Sequence, residues 1–519
     1  MQKNKRLLLF FIAYSVCTHL SAQQNAISFT VDANNKAQVM DNIGASGCWF
    51  SEGIGKNWPE KKRERIAELL FSREVGANGS PLGIGLSCWR FNIGGGTAEQ
   101  GDSSGIKDFR RRVECFLSPQ GTYDWSKQAG YTWFVKKAKS YGVEKLIAFS
   151  NTPPVQFTQN GLGYKTSKDY KSNLKPGSYS VYTDFLAEVL DHFKKEGLAF
   201  DYVSPVNEPQ WDWSHKYMEA DQEGTPWRND EIAHVIRSLD ESLTQKKLST
   251  KILLPEAGML TYLYGGKGNA ASQMQSFLDP AGKNYVGSLK HVPSLVAGHS
   301  YFTDGPDSVM ITVRKKLADS IRKYNLSFWQ SEYCMLADGF KDGNKGDRSA
   351  MDCALFLAKV IHHDISVANA SAWQYWNSYE PGKADVNTRY YLIALQPNEA
   401  YTDGEFTATK NLWALGHYSL FVRPGMQRIT LEENKSDTQN AAQCMVTAYE
   451  GNGSLVVVAI NYSSEEKLIQ PMLKNFQAFT KSTRYVTTAS PDDNMKAYDQ
   501  ALNDAVRLSA RSISTIVYK

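Results

Sequence analysis

The sequence predicts an α/β chain: a (β/α)8 TIM barrel with an attached antiparallel β-sandwich side domain formed from both chain ends. Three observations carry this. Short β-rich runs alternate with stretches of helical periodicity through the long middle of the chain, eight such runs can be counted, and near Lys410 the pattern gives way to alternating strands. Eight strands in βα repetition imply a closed ring. An open doubly wound sheet would alternate in the same way, but the glycines at Gly83, Gly85 and Gly94–Gly96 do not make the strand, GxGxxG and helix unit of a dinucleotide site.

The first segment stands apart. Lys3, Lys5 and Arg6 run into the apolar Leu7–Val16 and then into Ser21, Ala22 and Gln23, the layout of an export signal over residues 1–22, with a retained membrane anchor as the alternative. The apolar run is too short to span a bilayer, and no later stretch is long and apolar enough to do so. Residues 23–38, with the alternating segment Ala26–Asp32, are expected to supply an N-terminal strand to the side domain. The barrel follows over 39–415. Its strands are expected at Asn42–Gly47, Gly85–Asn92, Lys145–Ser150, Phe200–Val206, Lys251–Pro255, Leu295–Tyr301, Ser327–Glu332 and Ala370–Trp376. Helices are expected between them at Pro59–Leu70, Tyr131–Tyr141, Ser180–Glu196, Asn229–Gln245, Met310–Tyr324 and Arg348–Asp364, where apolar residues recur at three- and four-residue steps. A last helix, Leu412–Phe421, ends at Arg423-Pro424-Gly425. Strands through Leu455–Tyr462, Arg484–Thr487 and Ile513–Tyr518 then belong to a C-terminal β-sandwich over 416–519.

Composition narrows the function. The 519 residues carry 58 Lys and Arg against 54 Asp and Glu, a charge too small and too dispersed to bind nucleic acid. Removing the signal leaves a nearly neutral chain. Cys48, Cys88, Cys115, Cys334, Cys353 and Cys444 are scattered without CxxC spacing, so neither a metal nor another cofactor is implied. A Cys48–Cys88 bridge and buried free thiols are both compatible with export. His362 and His363, adjacent on one helix, face different ways and make a poor metal pair.

In a barrel of this kind the chemistry sits at the C-terminal ends of the strands. The fourth expected strand ends Val206-Asn207-Glu208-Pro209, with Trp211 and Trp213 following, and the seventh ends Trp329-Gln330-Ser331-Glu332-Tyr333. Either glutamate alone reads as a solvated surface group. Two of them, three strands apart and flanked by aromatics, suit glycosidic-bond hydrolysis, which needs one protonated carboxyl group and one ionised one. Asn207 is placed to hold a sugar hydroxyl, and Arg90 to keep a carboxylate ionised. His299 and Tyr301 end the sixth strand, with Tyr301 the preferred partner of Glu332. Trp373 and Trp376, on the eighth, and Trp211 and Trp213 offer flat faces to pyranose rings. Asn151 either binds a hydroxyl or starts the turn before two prolines. Glu256, after Pro255, is the one competing carboxylate.

These motifs resemble glycoside hydrolase family 30, within the clan of retaining (β/α)8-barrel β-glycosidases, and in particular its endo-β-1,6-galactanase-like branch. The resemblance is carried by Asp41–Gly47, Ser87–Gly95, Asn151-Thr152-Pro153-Pro154, Ser204–Pro209, Trp329–Glu332, and Leu415–Ser419 with Arg423-Pro424-Gly425. It implies Glu208 as acid/base, Glu332 as nucleophile, and a secreted or periplasmic endo-β-1,6-galactanase acting on arabinogalactan-type side chains. The alternatives are a related xylanase, β-1,6-glucanase or glucosylceramidase-like enzyme, and a noncatalytic polysaccharide-binding protein.

Overall fold

The computed structural model describes residues 26–337 and 347–519. The expected export signal lies outside them. After β1 (Ala26–Val39), which leaves for the side domain, the chain builds the barrel from β2 (Asn42–Ser46), β3 (Cys88–Asn92), β4 (Lys145–Phe149), β5 (Tyr202–Ser204), β6 (Lys251–Ile252), β7 (Pro255–Ala257), β8 (Leu295–His299), β9 (Ser327–Tyr333) and β10 (Ala372–Tyr375). All pair in parallel, in the order β6-β5-β4-β3-β2-β10-β9-β8-β7. The two outer members of that order are halves of the single expected fifth strand, so the ring closes through them. On one side Leu253 N–H donates to Val203 O at 2.9 Å, and on the other Ala297 N–H donates to Leu254 O at 2.8 Å.

The helices α1 (Glu60–Phe71), α2 (Ala129–Ser140), α3 (Tyr179–Lys195), α4 (Asn229–Gln245), α5 (Asp307–Lys323) and α6 (Ala350–Ser366) surround the ring. On α3, Tyr182, Phe185, Leu186, Val189, Leu190 and Phe193 form the buried stripe that the three- and four-residue spacing predicts. Sequence periodicity starts α5 three residues late, because Pro306 and Asp307, polar or non-helical by composition, occupy its entry. At α6 the Ser349 side chain caps the helix, accepting from Asp352 N–H at 3.1 Å. This helix is buried on nearly every face because it lies between the barrel and the side domain. No described helix is long and apolar enough to cross a membrane.

Side chains alternate across the barrel wall. Trp89 and Phe91 of β3 join the outer core, whereas Cys88 joins an inner cluster with Ile147, Leu253, Leu295, Ala297, Trp329 and Ala372. This cluster fills the lower half of the barrel, and the polar residues gather above it at the strands' C-terminal ends.

Helix α7 (Lys410–Ser419) leads to β14 (Gln427–Glu432), β15 (Cys444–Gly451), β16 (Ser454–Asn461), β17 (Lys467–Lys474), β18 (Ser482–Thr487), β19 (Lys496–Gln500), β20 (Val506–Leu508) and β21 (Ser512–Tyr518). Together with β1 they form a nine-stranded sheet in the order β19-β18-β21-β16-β15-β14-β1-β17-β20. Every pair is antiparallel except β1 with β17, so the N-terminal strand enters in the middle of a sheet made by the other chain end. The sheet carries its own core, in which Phe29 and Val31 meet Val457, Ile469, Leu508 and Ile516. His417 of α7 ties the two units together: it is buried, with Nδ1 2.8 Å from Thr515 Oγ1 and Nε2 2.9 Å from Thr487 Oγ1. A small third sheet, β11 (Tyr379–Pro381), β12 (Ile393–Pro397) and β13 (Gly404–Ala408), follows β10 and was not visible in the sequence pattern.

Candidate active site

Glu208 and Glu332 reach the same point from opposite sides of the ring, each by an irregularity in its backbone. On β9 the register slips between Gly298/Gln330 and His299/Glu332, a bulge that turns Glu332 inward where simple alternation from the inward Trp329 would turn it out. Just after β5, Glu208 has φ +45°, the left-handed region that a side chain other than glycine rarely occupies. Glu256, on β7, has φ +52°, and its carbonyl accepts the Glu208 N–H at 2.9 Å. Two neighbouring carboxyl residues are thus held in costly conformations by one shared bond, the kind of strain that marks functional sites. One carboxylate oxygen of Glu208 and one of Glu332 lie within 4.8 Å of each other.

Glu332 is gripped on both oxygens. Arg90 Nη1 donates to Oε2 at 2.8 Å and Tyr301 Oη donates to Oε1 at 3.1 Å. The Arg90 guanidinium is fully buried, 4.3 Å from the centre of the Phe149 ring, and extends a second contact of 3.6 Å to Glu256. His299 stands between the carboxyl groups, with Nδ1 2.9 Å from Glu208 Oε1 and 3.6 Å from Glu332 Oε1, and Nε2 3.3 Å from Glu256 Oε2.

This arrangement pulls the groups apart electrostatically. Burial pushes the Glu208 carboxyl up against the opposing hydrogen bond and charge of His299, and nearby Glu332 adds to the rise. Glu256 is buried too, but His299, Arg90 and the Ser204 hydroxyl outweigh burial and bring it down to about 2. Burial works against a charge on His299 as well; its carboxylate neighbours Glu332, Glu208 and Glu256 nevertheless push it up to about 10, so it is an imidazolium at neutral pH. Glu208, His299 and Glu332 would match a metal's donor types by distance alone. Each of the three already has a partner inside the cluster, Glu332 on Arg90 and Tyr301 and Glu208 on His299.

Above these groups opens a cavity of about 400 Å3, lined by Trp49, Arg111, Asn207, Glu208, Trp213, Tyr301, Glu332, Trp376, Glu380 and Tyr390 among others. Trp376 and Trp49 meet edge to face at 5.1 Å. The sequence-predicted residues therefore separate into layers. Asn207, Trp213, Tyr301 and Trp376 reach the cavity wall. Arg90 and His299 lie beneath it and make their polar contacts with the carboxyl groups. Asn151 also stands behind, its Oδ1 accepting from Asn207 Nδ2 at 3.0 Å. Trp211 lines a neighbouring cavity of about 630 Å3 with Tyr170, Trp227 and Tyr262, and Trp213 borders both. Trp213 is fixed there by its indole N–H, which donates to Glu208 O at 3.1 Å.

Trp373 corrects the expectation that it faces sugar. It is fully buried, and its indole N–H donates to Asp364 Oδ2 at 2.8 Å on the helix side of the wall. The β10 pleat sends Trp373 and Gln374 to opposite faces, and Gln374 takes the inner one, donating to Asn42 Oδ1 at 2.9 Å. Cys48 and Cys88 are buried free thiols and form no bridge. Sequence reasoning missed Trp49, Arg111, Glu380 and Tyr390, which come from connections and the small third sheet outside the strand-end motifs, and it undervalued Glu256.

A carboxyl group pressed toward its protonated form, facing another that is paired with a guanidinium, answers the two opposite demands of glycoside cleavage, and on this barrel it defines an O-glycosyl hydrolase. The chain belongs to O-glycosyl hydrolase family 30, whose sequence model matches residues 26–386. It is 24% identical over 402 residues to the glucuronoxylanase XynC of Bacillus subtilis, covering 75% of this chain and 78% of that one. An exported protein of Bacteroides fragilis has the same fold with a TM-score of 0.87 at 34% identity, over 94% of this chain and 100% of the other. The catalytic domain of xylanase C from Talaromyces cellulolyticus, at 21% identity, superimposes with a TM-score of 0.66 over 95% of this chain and all of its own length. An endo-β1,6-glucanase at 17% identity shares the fold with a TM-score of 0.62, over 95% of this chain and 93% of its own.

Proposed function

We propose that the chain is a secreted, retaining endo-β-1,6-galactanase, with Glu332 as nucleophile and Glu208 as acid/base. The observation that carries the mechanism is the approach of the two carboxyl groups to within 4.8 Å, oxygen to oxygen. Retaining enzymes hold these groups about 5–5.5 Å apart, while inverting ones need roughly 6.5–9.5 Å to admit a water. Glu332, oriented by Arg90 and Tyr301, attacks the anomeric carbon while Glu208 gives its proton to the departing oxygen. A water then enters, Glu208 takes its proton, and the glycosyl ester is released with the original anomeric configuration. Asn207, held by Asn151, bonds a hydroxyl of the bound sugar, and Trp376, Trp49 and Trp213 lie against ring faces.

A neutral substrate is supported by the cavity's charges. Arg111, the described cation on its wall, is already paired with Glu380 at 2.6 Å and lies over Trp49 at 4.6 Å. This pairing disfavours the glucuronic acid substituents for which the Bacillus relative is named. Endo action is supported by the second cavity beyond Trp213, which gives room to a chain that continues past the cleaved bond. Residues 1–22 serve as the export signal, in keeping with the likeness to an exported Bacteroides protein. Residues 39–415 act as the catalytic unit, braced by 23–38 and 416–519. Incubation with β-1,6-galactan, β-1,6-glucan and glucuronoxylan, with products read by chromatography and anomers by NMR, tests the proposal. Short β-1,6-galacto-oligosaccharides released first as the β anomer are expected. Release of monosaccharide alone would overturn endo action, a first-formed α anomer the mechanism, and preferential cleavage of either other glycan the substrate.

A further inference from the structure

Glu256 lies out of a sugar's reach. It is fully buried and does not border the cavity. Both of its oxygens are taken: Oε1 accepts from Ser204 Oγ at 2.6 Å and faces Arg90 Nη2 at 3.6 Å, while Oε2 accepts from Ser331 Oγ and lies 3.3 Å from His299 Nε2. The other nitrogen of that ring holds Glu208. His299 is therefore a bridge between a carboxylate that faces no solvent and the carboxyl group that faces the cleft. The charged and titratable groups around it come from every element packed on it: Glu256 on β7, Glu208 after β5, Glu332 on β9, Tyr301 just past β8 with its ring 5.6 Å away, and Arg90 of β3 in contact with both Glu256 and Glu332. Counting charges gives two cations and three carboxyl groups in one buried cluster. Two ionised carboxylates balance Arg90 and His299, and a third would leave the cluster with a net buried negative charge, which is unfavourable.

We propose that Glu256 is a positioning residue that keeps Glu208 protonated, by holding His299 as an imidazolium and neutralising one of the two buried cations so that none is left to balance an ionised Glu208. Arg90 satisfies Glu332, His299 satisfies Glu256, and Glu208 receives the remaining imidazolium N–H as a neutral acid. The downward displacement of Glu256 and the upward displacement of His299 agree with this distribution. The inference rests on the reading of Glu208 as the acid.

The test is Glu256→Gln, which keeps shape and removes the charge. A buried cation is then unbalanced, and the Glu208–His299 pair, which titrates as one unit, gives up a proton at lower pH. The basic limb of the kcat/KM profile should move down by about one pH unit, a loss of about tenfold above the limb on an oligosaccharide. A dinitrophenyl glycoside, whose leaving group departs without a proton, should be little affected. Glu256→Asp, which retains the charge, should restore the limb. An unmoved limb with equal losses on both substrates would reduce Glu256 to a packing role and overturn the proposal. A second measurement needs no variant: in histidine-labelled wild-type protein, 15N NMR should show His299 protonated on both nitrogens at pH 7, and a neutral ring there would overturn it equally. If instead Glu208→Gln keeps the wild-type basic limb, the assignment of Glu208 as acid fails, independently of the state of His299.

Discussion

Replacing Tyr301 by Phe isolates one hydrogen bond to the proposed nucleophile. The phenol is 2% exposed and its Oη donates to Glu332 Oε1 at 3.1 Å, so the substitution removes a single oxygen and leaves the ring packed as before. Burial pushes the Tyr301 phenol well above its usual range, which keeps it a donor at any working pH. Glu332 retains Arg90 at 2.8 Å on its other oxygen, so the carboxylate is loosened rather than released. A hydrogen bond to an ionised group contributes about 1.5–3 kcal/mol. At about 1.4 kcal/mol per decade this corresponds to a fall of about 10- to 150-fold in kcat, because a nucleophile free to rotate loses its line of attack. KM should change little and the melting temperature hardly at all, since no cavity is made. Steady-state kinetics on an aryl glycoside, with a thermal melt of the same preparation, checks this. A fall in kcat below twofold, or one confined to KM, would refute the role assigned to the hydroxyl.

Three other expectations follow from the same geometry. Glu208→Ala should cost about 10²–10⁴-fold on substrates that need an acid, and azide should then yield a β-glycosyl azide, whereas Glu332→Gly should yield the α product, so the configuration read by NMR distinguishes the two roles. Trp376→Ala should raise KM with the fold intact, while Trp373→Ala should destabilise the chain by about 3–5 kcal/mol, the range for a fully buried Trp, in a denaturant titration. Glu223, buried and bonded by the Thr97 hydroxyl at 2.6 Å and Gly95 N–H at 3.2 Å, is raised by burial to about 7. Its protonated form is the one the fold favours, so its contribution is complete below about pH 4.5 and disappears as pH rises through about 7. Glu223→Gln should therefore match the wild-type melting temperature near pH 4 and exceed it at pH 8; equal pH dependence in the two proteins would contradict this.

The barrel was legible because each βα unit announces itself locally. Seven of the expected strands overlap a single observed strand, while the fifth, read as Lys251–Pro255, divides into Lys251–Ile252 and Pro255–Ala257. The division matters, since the second half carries Glu256. The side domain was legible as a change of period, but its order was not: nothing in the alternation of Ala26–Asp32 says that it will lie parallel to Lys467–Lys474 and antiparallel to Gln427–Glu432. These pairings join residues about 390 to 440 positions apart, beyond the reach of any local pattern. The third sheet escaped because its strands are short and lie in what composition reads as a loop.

Strand-end position picked out Glu208 and Glu332, which the structure brings together at the cavity, and the same rule applied to the eighth strand misplaced Trp373. The difference lies in the backbone. A regular pleat decides the direction of Trp373 by parity alone, and counting from Gln374 would have turned it outward. The two proposed catalytic residues depart from parity, Glu332 through a bulge and Glu208 through a left-handed φ of +45°. Neither departure is written in local propensity; glutamate has no preference for that region, at a cost of about 1–2 kcal/mol per residue. The bond from Glu208 N–H to Glu256 O and the ring of His299 between their carboxyl groups supply the compensation. Glu256 and His299 therefore hold both the backbone and the charge of the cleft, which is why a residue that looks from sequence like a turn beside Ala257-Gly258 becomes the foundation of the site.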